Sequence, residues 1–128
     1  MRKPSPNTRA RIKVQIYLDD EIAMGPGKRE LLDLIEAHGS ISAAGRAMGV
    51  SYRRAWMLVD TMNRCFREPL VIAGKGGSKG GGAELTSLGK SIQQRFRTLE
   101  AALQRSASGD FTYLRRQLRS EGPSAAKP

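Results

Sequence analysis

Little in this sequence can do covalent chemistry or hold a metal. There is one cysteine, Cys65, and one histidine, His38. A single thiol excludes an internal disulfide and any thiolate-rich zinc site, and it suits a reducing interior. Cys65 reads as a small apolar side chain rather than a nucleophile, and His38, at a helix end with no carboxylate cluster near it, as a dipole-compensating or capping residue. No paired carboxylates form a recognisable acid–base site, so an enzyme is not expected. Long apolar runs are also missing. None approaches the roughly 20 residues needed to span a bilayer, and no signal-peptide core opens the chain, so a cytoplasmic protein without membrane contact is expected. Acidic side chains are the minority: 12 Asp+Glu against 22 Lys+Arg leave a net charge of +10. A fold does not require that excess, whereas a polyanionic partner does.

What is present is about one domain, 128 residues with 39% apolar content, enough for a single modest core. Its centre is the stretch from Ile41 to Phe66. Ser42 to Met48 reads as a short helix of small residues, Gly49 breaks it, and Ser51 caps a second helix running to about Cys65. Ala44 and Gly45 supply the small pair that lets two helices cross steeply, with Met48, Val50, Ala55 and Leu58 as apolar contacts. This is the pattern of a helix-turn-helix. On the second helix Ala55, Leu58 or Val59, Met62 and Phe66 recur at helical spacing and should face the core. The other face begins Ser51, Tyr52, Arg53, Arg54 and continues through Trp56, Met57, Asp60 and Arg64. Polar and basic groups are thus gathered where a recognition helix enters the major groove, and each arginine offers a bidentate fork to a guanine edge or a phosphate. Trp56 is either a groove contact or a packing residue under the wing or at a subunit boundary, and packing is the favoured reading.

Around this centre, residues 1–11 carry two prolines and four basic side chains, Arg2, Lys3, Arg9 and Arg11, as a disordered basic arm or a solvated tail. Ile12 to Leu18 alternates apolar and polar residues as a half-buried strand, and Asp19 to Met24 is a second short strand or a turn. A support helix follows from about Gly27 to His38, with Leu31, Leu34, Ile35 and His38 on one face and Gly39 closing it. After Pro69, two short apolar pieces flank a loop, Gly74 to Gly82, made of glycines with Lys75, Ser78 and Lys79. That is a β-hairpin wing able to bring bare amides and two ammonium groups to phosphates. A plain flexible linker is its rival; a nucleotide loop is not supported, because no Gly-Lys-Ser or Gly-Lys-Thr opens a helix there. Thr86 caps a long helix to about Ser106 with a stripe of Leu88, Ile92, Phe96, Leu99 and Leu103. Gly109 and Asp110 should interrupt it before a last amphipathic helix, Phe111 to Arg119, and a disordered tail, 120–128.

Together Gly39-Ser40-Ile41-Ser42-Ala43-Ala44, Ser51-Tyr52 with Ala55-Trp56, Met62-Asn63, Glu68-Pro69-Leu70-Val71, the Gly76–Gly82 loop and Leu85-Thr86 resemble the N-terminal domain of the ModE-type, molybdate-responsive transcription regulators, over about Ile12 to Leu103. The resemblance implies a mainly α fold with a small β-hairpin: a LysR-like winged helix-turn-helix over 12–85 and a long C-terminal dimerisation helix, with its short successor, over 86–119. It implies a transcription regulator that binds a pseudo-palindromic operator in double-stranded DNA as a homodimer through the 86–106 helix. Ser51, Tyr52, Arg53 and Arg54 are then expected in the major groove, Met57 and Arg64 further along that helix, and Lys75, Ser78 and Lys79 on the flanking backbone. Full-length members carry molybdate-binding domains after the long helix, where this sequence has a short helix and a tail, so molybdate binding is not expected in this chain, nor any other cofactor. Gly45 stands where alanine is commoner, which should loosen the first motif helix by up to ~1 kcal/mol. Arg54 stands where a smaller residue is usual, so the family's operator sequence is not carried over. The alternative is a protein-interaction module that assembles with another regulator, for which the long helix matters more than the arginines.

Overall fold

The computed structural model describes residues 10–74 and 81–123. Nine elements follow one another: β1 (Ile16–Leu18), β2 (Glu21–Met24), α1 (Pro26–His38), α2 (Ile41–Met48), α3 (Tyr52–Cys65), β3 (Val71–Ala73), β4 (Ala83–Leu85), α4 (Ser87–Ser106) and α5 (Ser108–Gln117). Helices dominate and the strands form two antiparallel pairs, β1 with β2 and β3 with β4. This is the mainly α winged-helix architecture expected from the sequence.

Local chemistry sets most of the helix limits. Pro26 opens α1 with a fixed φ and no N–H to leave unsatisfied, and Gly39 closes it at φ 76°, donating its N–H to the Ile35 carbonyl at 2.8 Å. The Ser40 hydroxyl accepts from the Ala43 N–H at 3.0 Å, so α2 begins at Ile41, and Gly49 ends it at φ 80°. Ser51 repeats the cap on α3, accepting from the Arg54 N–H at 3.0 Å. The Thr86 hydroxyl caps α4 through the Gly89 N–H and donates to the Pro69 carbonyl, tying the helix start to the lead-in of β3. The break after α4 falls at Ala107, not at Gly109 and Asp110, which lie in the first turn of α5. An acidic side chain at a helix N-terminus is favourable, so Asp110 starts the last helix rather than interrupting the one before.

The core is built from Met24, Leu31, Leu32, Ile35, Val59, Met62, Leu70 and Phe96, with Ala44 and Ala55 where α2 meets α3. At that crossing Gly45 is buried, and a Cβ built on it would lie 3.0 Å from the Ala55 Cβ. The glycine expected to loosen α2 thus permits a closer approach of the two helices. On α1, Leu32 takes the buried place expected of His38, which is exposed, and Leu34 is half-buried. Because α1 packs against α2 on one side and α4 on the other, two adjacent leucines are covered. The strand expected over 12–18 shrinks to Ile16–Leu18, all exposed, while Ile12 and Val14 are half-buried outside the ladder. A register shift between Ile16 and Tyr17 ends the alternation, and Asp19, at φ 54°, turns the chain into β2.

Two polar clusters fix the helices around the wing. Gln93, 4% exposed, donates to Asp33 at 2.7 Å and to Glu36 at 3.2 Å, while Arg29 joins Asp33 to Glu100 and Arg97 caps Asp33, so α4 is locked on α1. Asn63 of α3 accepts from the Leu70 N–H at 2.8 Å and the Val71 N–H at 3.2 Å, and donates to the Val71 carbonyl at 3.0 Å. One amide therefore satisfies the backbone from which β3 departs. Asn63→Ala is expected to lower stability by about 2 kcal/mol, read as a lower urea midpoint at unchanged slope.

Candidate nucleic-acid interface

Three apolar side chains, Ala55, Val59 and Met62, anchor α3 in the core and so decide which of its residues point outward. The first turns are open: Ser51, Tyr52, Arg53, Arg54, Trp56 and Met57 are all exposed. Among the described residues neither the Arg53 nor the Arg54 guanidinium has a carboxylate partner, although Arg29, Arg64, Arg97 and Arg119 do. An arginine fork kept free of carboxylates is available to a phosphate or a base edge. Ser51 is placed by its capping bond with its hydroxyl at the same end of the helix.

The two arginines differ in surroundings. Arg53 shares the outward row with Met57, Asp60 and Arg64. Arg54 turns toward the start of α1, where burial first, and then the Arg54 charge, hold the Lys28 amine below the usual lysine range. Lys28, in the first turn of α1, is not among the site residues expected from the sequence; its meeting with Arg54 is a tertiary fact that local spacing does not carry.

Arg64, named with the DNA-facing residues from sequence, sits about 18 Å along the helix from Tyr52. Its guanidinium is held by Glu21 at 2.8 Å and Asp60 at 2.9 Å. The hydrogen bond from Arg64 pulls Glu21 below the usual carboxylate range, and the two carboxylates raise Arg64. This triad staples the β1–β2 turn to the end of α3; its contribution is present above the ordinary glutamate range and is lost as pH falls through the lowered Glu21 value.

Lys75, Ser78 and Lys79 lie outside the described residues. The stem of their hairpin is described: Val71 pairs with Leu85, Ile72 with Glu84 and Ala73 with Ala83, and the Gly74 N–H meets the Gly82 carbonyl at 2.9 Å. Between this stem and α3 runs an open groove of about 340 Å³, walled by Tyr52, Trp56, Val59, Ile72 and Ala83 with Ile41 at one end. Trp56, for which packing was favoured, is 48% exposed on that wall. Three-residue strands are too short to cover an indole, and Ile72 beside it is itself 45% exposed.

Among the described residues no group of His, Cys, Asp and Glu side chains is arranged to hold a metal, and no helix is long and apolar enough to cross a membrane. No family model matches the chain. Relatives do. The molybdenum transport protein ModE of Azotobacter vinelandii is 38% identical over 99 residues, 76% of this chain and 37% of that protein. The molybdenum-pterin-binding protein MopA of Rhodobacter capsulatus is 42% identical over 80 residues, 62% of this chain and 30% of its own length. The DNA-binding transcriptional dual regulator ModE of Escherichia coli K12 is 34% identical over 87 residues, 68% and 33% respectively. The chain thus spans about a third of the length of the curated relatives it matches.

Proposed function

We propose that this chain, over its matched residues a relative of the ModE-type transcriptional regulators, is a DNA-binding regulator that reads a pseudo-palindromic operator as a homodimer. The observation that carries the reading is the pair of arginines on the exposed first turn of α3, without a carboxylate partner among the described residues, beside the stem of a hairpin wing. In this reading α3 lies in the major groove with Arg53 toward base edges. Arg54 and Lys28 face the sugar-phosphate backbone, where a phosphate oxygen relieves their mutual repulsion. Lys75, Ser78 and Lys79 of the wing loop meet the adjacent backbone, and the excess of 22 basic over 12 acidic residues supplies sequence-independent attraction.

Dimerisation accounts for the outer half of α4. Its inner half docks on its own domain through Gly89, Gln93 and Phe96, whereas Leu99 and Leu103 are exposed, as are Tyr113 and Leu114 of α5 and Leu118 just after it. Leu99→Glu with Leu103→Glu is expected to leave the fold intact and shift the protein from dimer to monomer in sedimentation velocity. The reading as a whole is tested by selection from a random duplex pool. Enrichment of a two-fold symmetric sequence with half-sites about one turn, roughly 34 Å, apart is expected; a pool that shows no enrichment contradicts it.

A further inference from the structure

The first two turns of α3 expose three large side chains, Tyr52 at 58%, Trp56 at 48% and Met57 at 49%. None is needed to hold the helix, which is anchored by Ala55, Val59 and Met62. Apolar area left in water at the start of a helix that also exposes two arginines marks a contact surface rather than a packing remnant.

Its chemistry is set by the side chains that remain available. The Asn63 oxygen is filled by the Leu70 and Val71 N–H groups, and one Asp60 oxygen is paired with Arg64. Around Arg53 the surface offers an indole, a phenol ring and a thioether, with the Trp56 N–H and the Tyr52 O–H as donors. In the major groove only thymine presents an apolar group, its C5 methyl, next to an acceptor, O4. Cytosine has no methyl and presents an N4 donor at the corresponding place, so it matches neither the apolar side chains nor the Trp56 N–H. A deoxyribose is apolar too, but it is the same at every nucleotide.

We propose that Trp56 and Met57, with Tyr52 beside them, form a thymine-reading surface, so that each half-site carries thymine next to the base read by Arg53. The inference rests on the DNA-binding reading above and specifies what its recognition helix reads.

The test uses a duplex selected from the random pool, synthesised once with thymidine and once with deoxyuridine at every thymine, and read by fluorescence anisotropy. Wild-type protein is expected to bind the deoxyuridine duplex about fourfold more weakly for each buried methyl removed. A Trp56→Ala, Met57→Ala variant, shown by circular dichroism to be folded, is expected to bind the two duplexes alike. Trp56→Phe, which keeps an apolar ring, should retain part of the discrimination. Equal binding of both duplexes by wild-type protein, or a selected site without thymine in its half-sites, overturns the proposal and leaves the DNA-binding reading standing. If Trp56→Ala instead weakens every duplex equally, the surface contacts sugar and the proposal is again overturned. Absence of any enrichment in the selection removes the DNA-binding reading and this one with it.

Discussion

The Arg53→Ala, Arg54→Ala double variant is expected to bind its selected duplex more than a hundredfold less tightly, a loss of about 3 kcal/mol, with its unfolding midpoint unchanged. Both side chains are exposed and neither has a carboxylate partner among the described residues, so their removal leaves no buried charge behind. The single variants should differ in kind. Arg53 stands on the outward row with Met57, so Arg53→Ala should relax preference at one base position while leaving the salt dependence nearly as it was. Arg54 lies beside Lys28, whose amine it helps to depress, and that is a place for a phosphate. Arg54→Ala should weaken binding to all duplexes alike and lower the salt slope by about 1. Arg53→Lys keeps the charge and loses the fork, so it should behave like Arg53→Ala in specificity rather than like wild type.

Gly89→Ala is expected to cost about 3 kcal/mol of stability and roughly 10 °C in melting temperature, seen by calorimetry. A Cβ on Gly89 would land on the Leu70 carbonyl oxygen, well inside van der Waals contact, with the Leu70 carbonyl carbon behind it at 3.1 Å. That carbonyl cannot swing aside, because it accepts from the Thr86 N–H at 2.9 Å, and the Leu70 N–H is held by Asn63. Relief therefore requires α4 to lift from the base of β3, which also lifts Gln93 and Phe96 from the core. Gly27→Ala is the contrast. Nothing lies within 4 Å of a Cβ there, so the same methyl, added in the first turn of α1, should stabilise by a few tenths of a kcal/mol.

The parts of the fold legible in the sequence are those decided by neighbouring residues. Ser51 and Thr86 cap helices through hydroxyls reaching three residues ahead, and Gly39 and Gly49 take left-handed φ values, all interactions within one turn of chain. The buried arc of α3 followed from its spacing, and with it the exposure of Arg53 and Arg54. What sequence spacing could not supply is the partner of each face. Heptad-like spacing on α4 made Leu88 to Leu103 one stripe, yet its inner part is claimed by α1 and β4 while Leu99 and Leu103 stay outside. Arg64 shares a row with Arg53, but Glu21, 43 residues earlier, turns it into a staple. Trp56 shows the same limit in reverse, since a large apolar side chain argues for burial only where a neighbour is long enough to cover it. Gly45 looked like a weak helix former until Ala55 was set against it.

Dimethyl sulfate footprinting of the selected duplex tests the central claim most directly, because the reagent methylates guanine N7 in the major groove. Protection of guanines in two half-sites about one helical turn apart, lost with Arg53→Ala but retained with Glu21→Gln, is the result expected of α3 as the reading element. Guanine N7 positions that stay fully reactive under saturating protein would contradict it, and would place whatever DNA contact exists on the backbone or the minor groove instead.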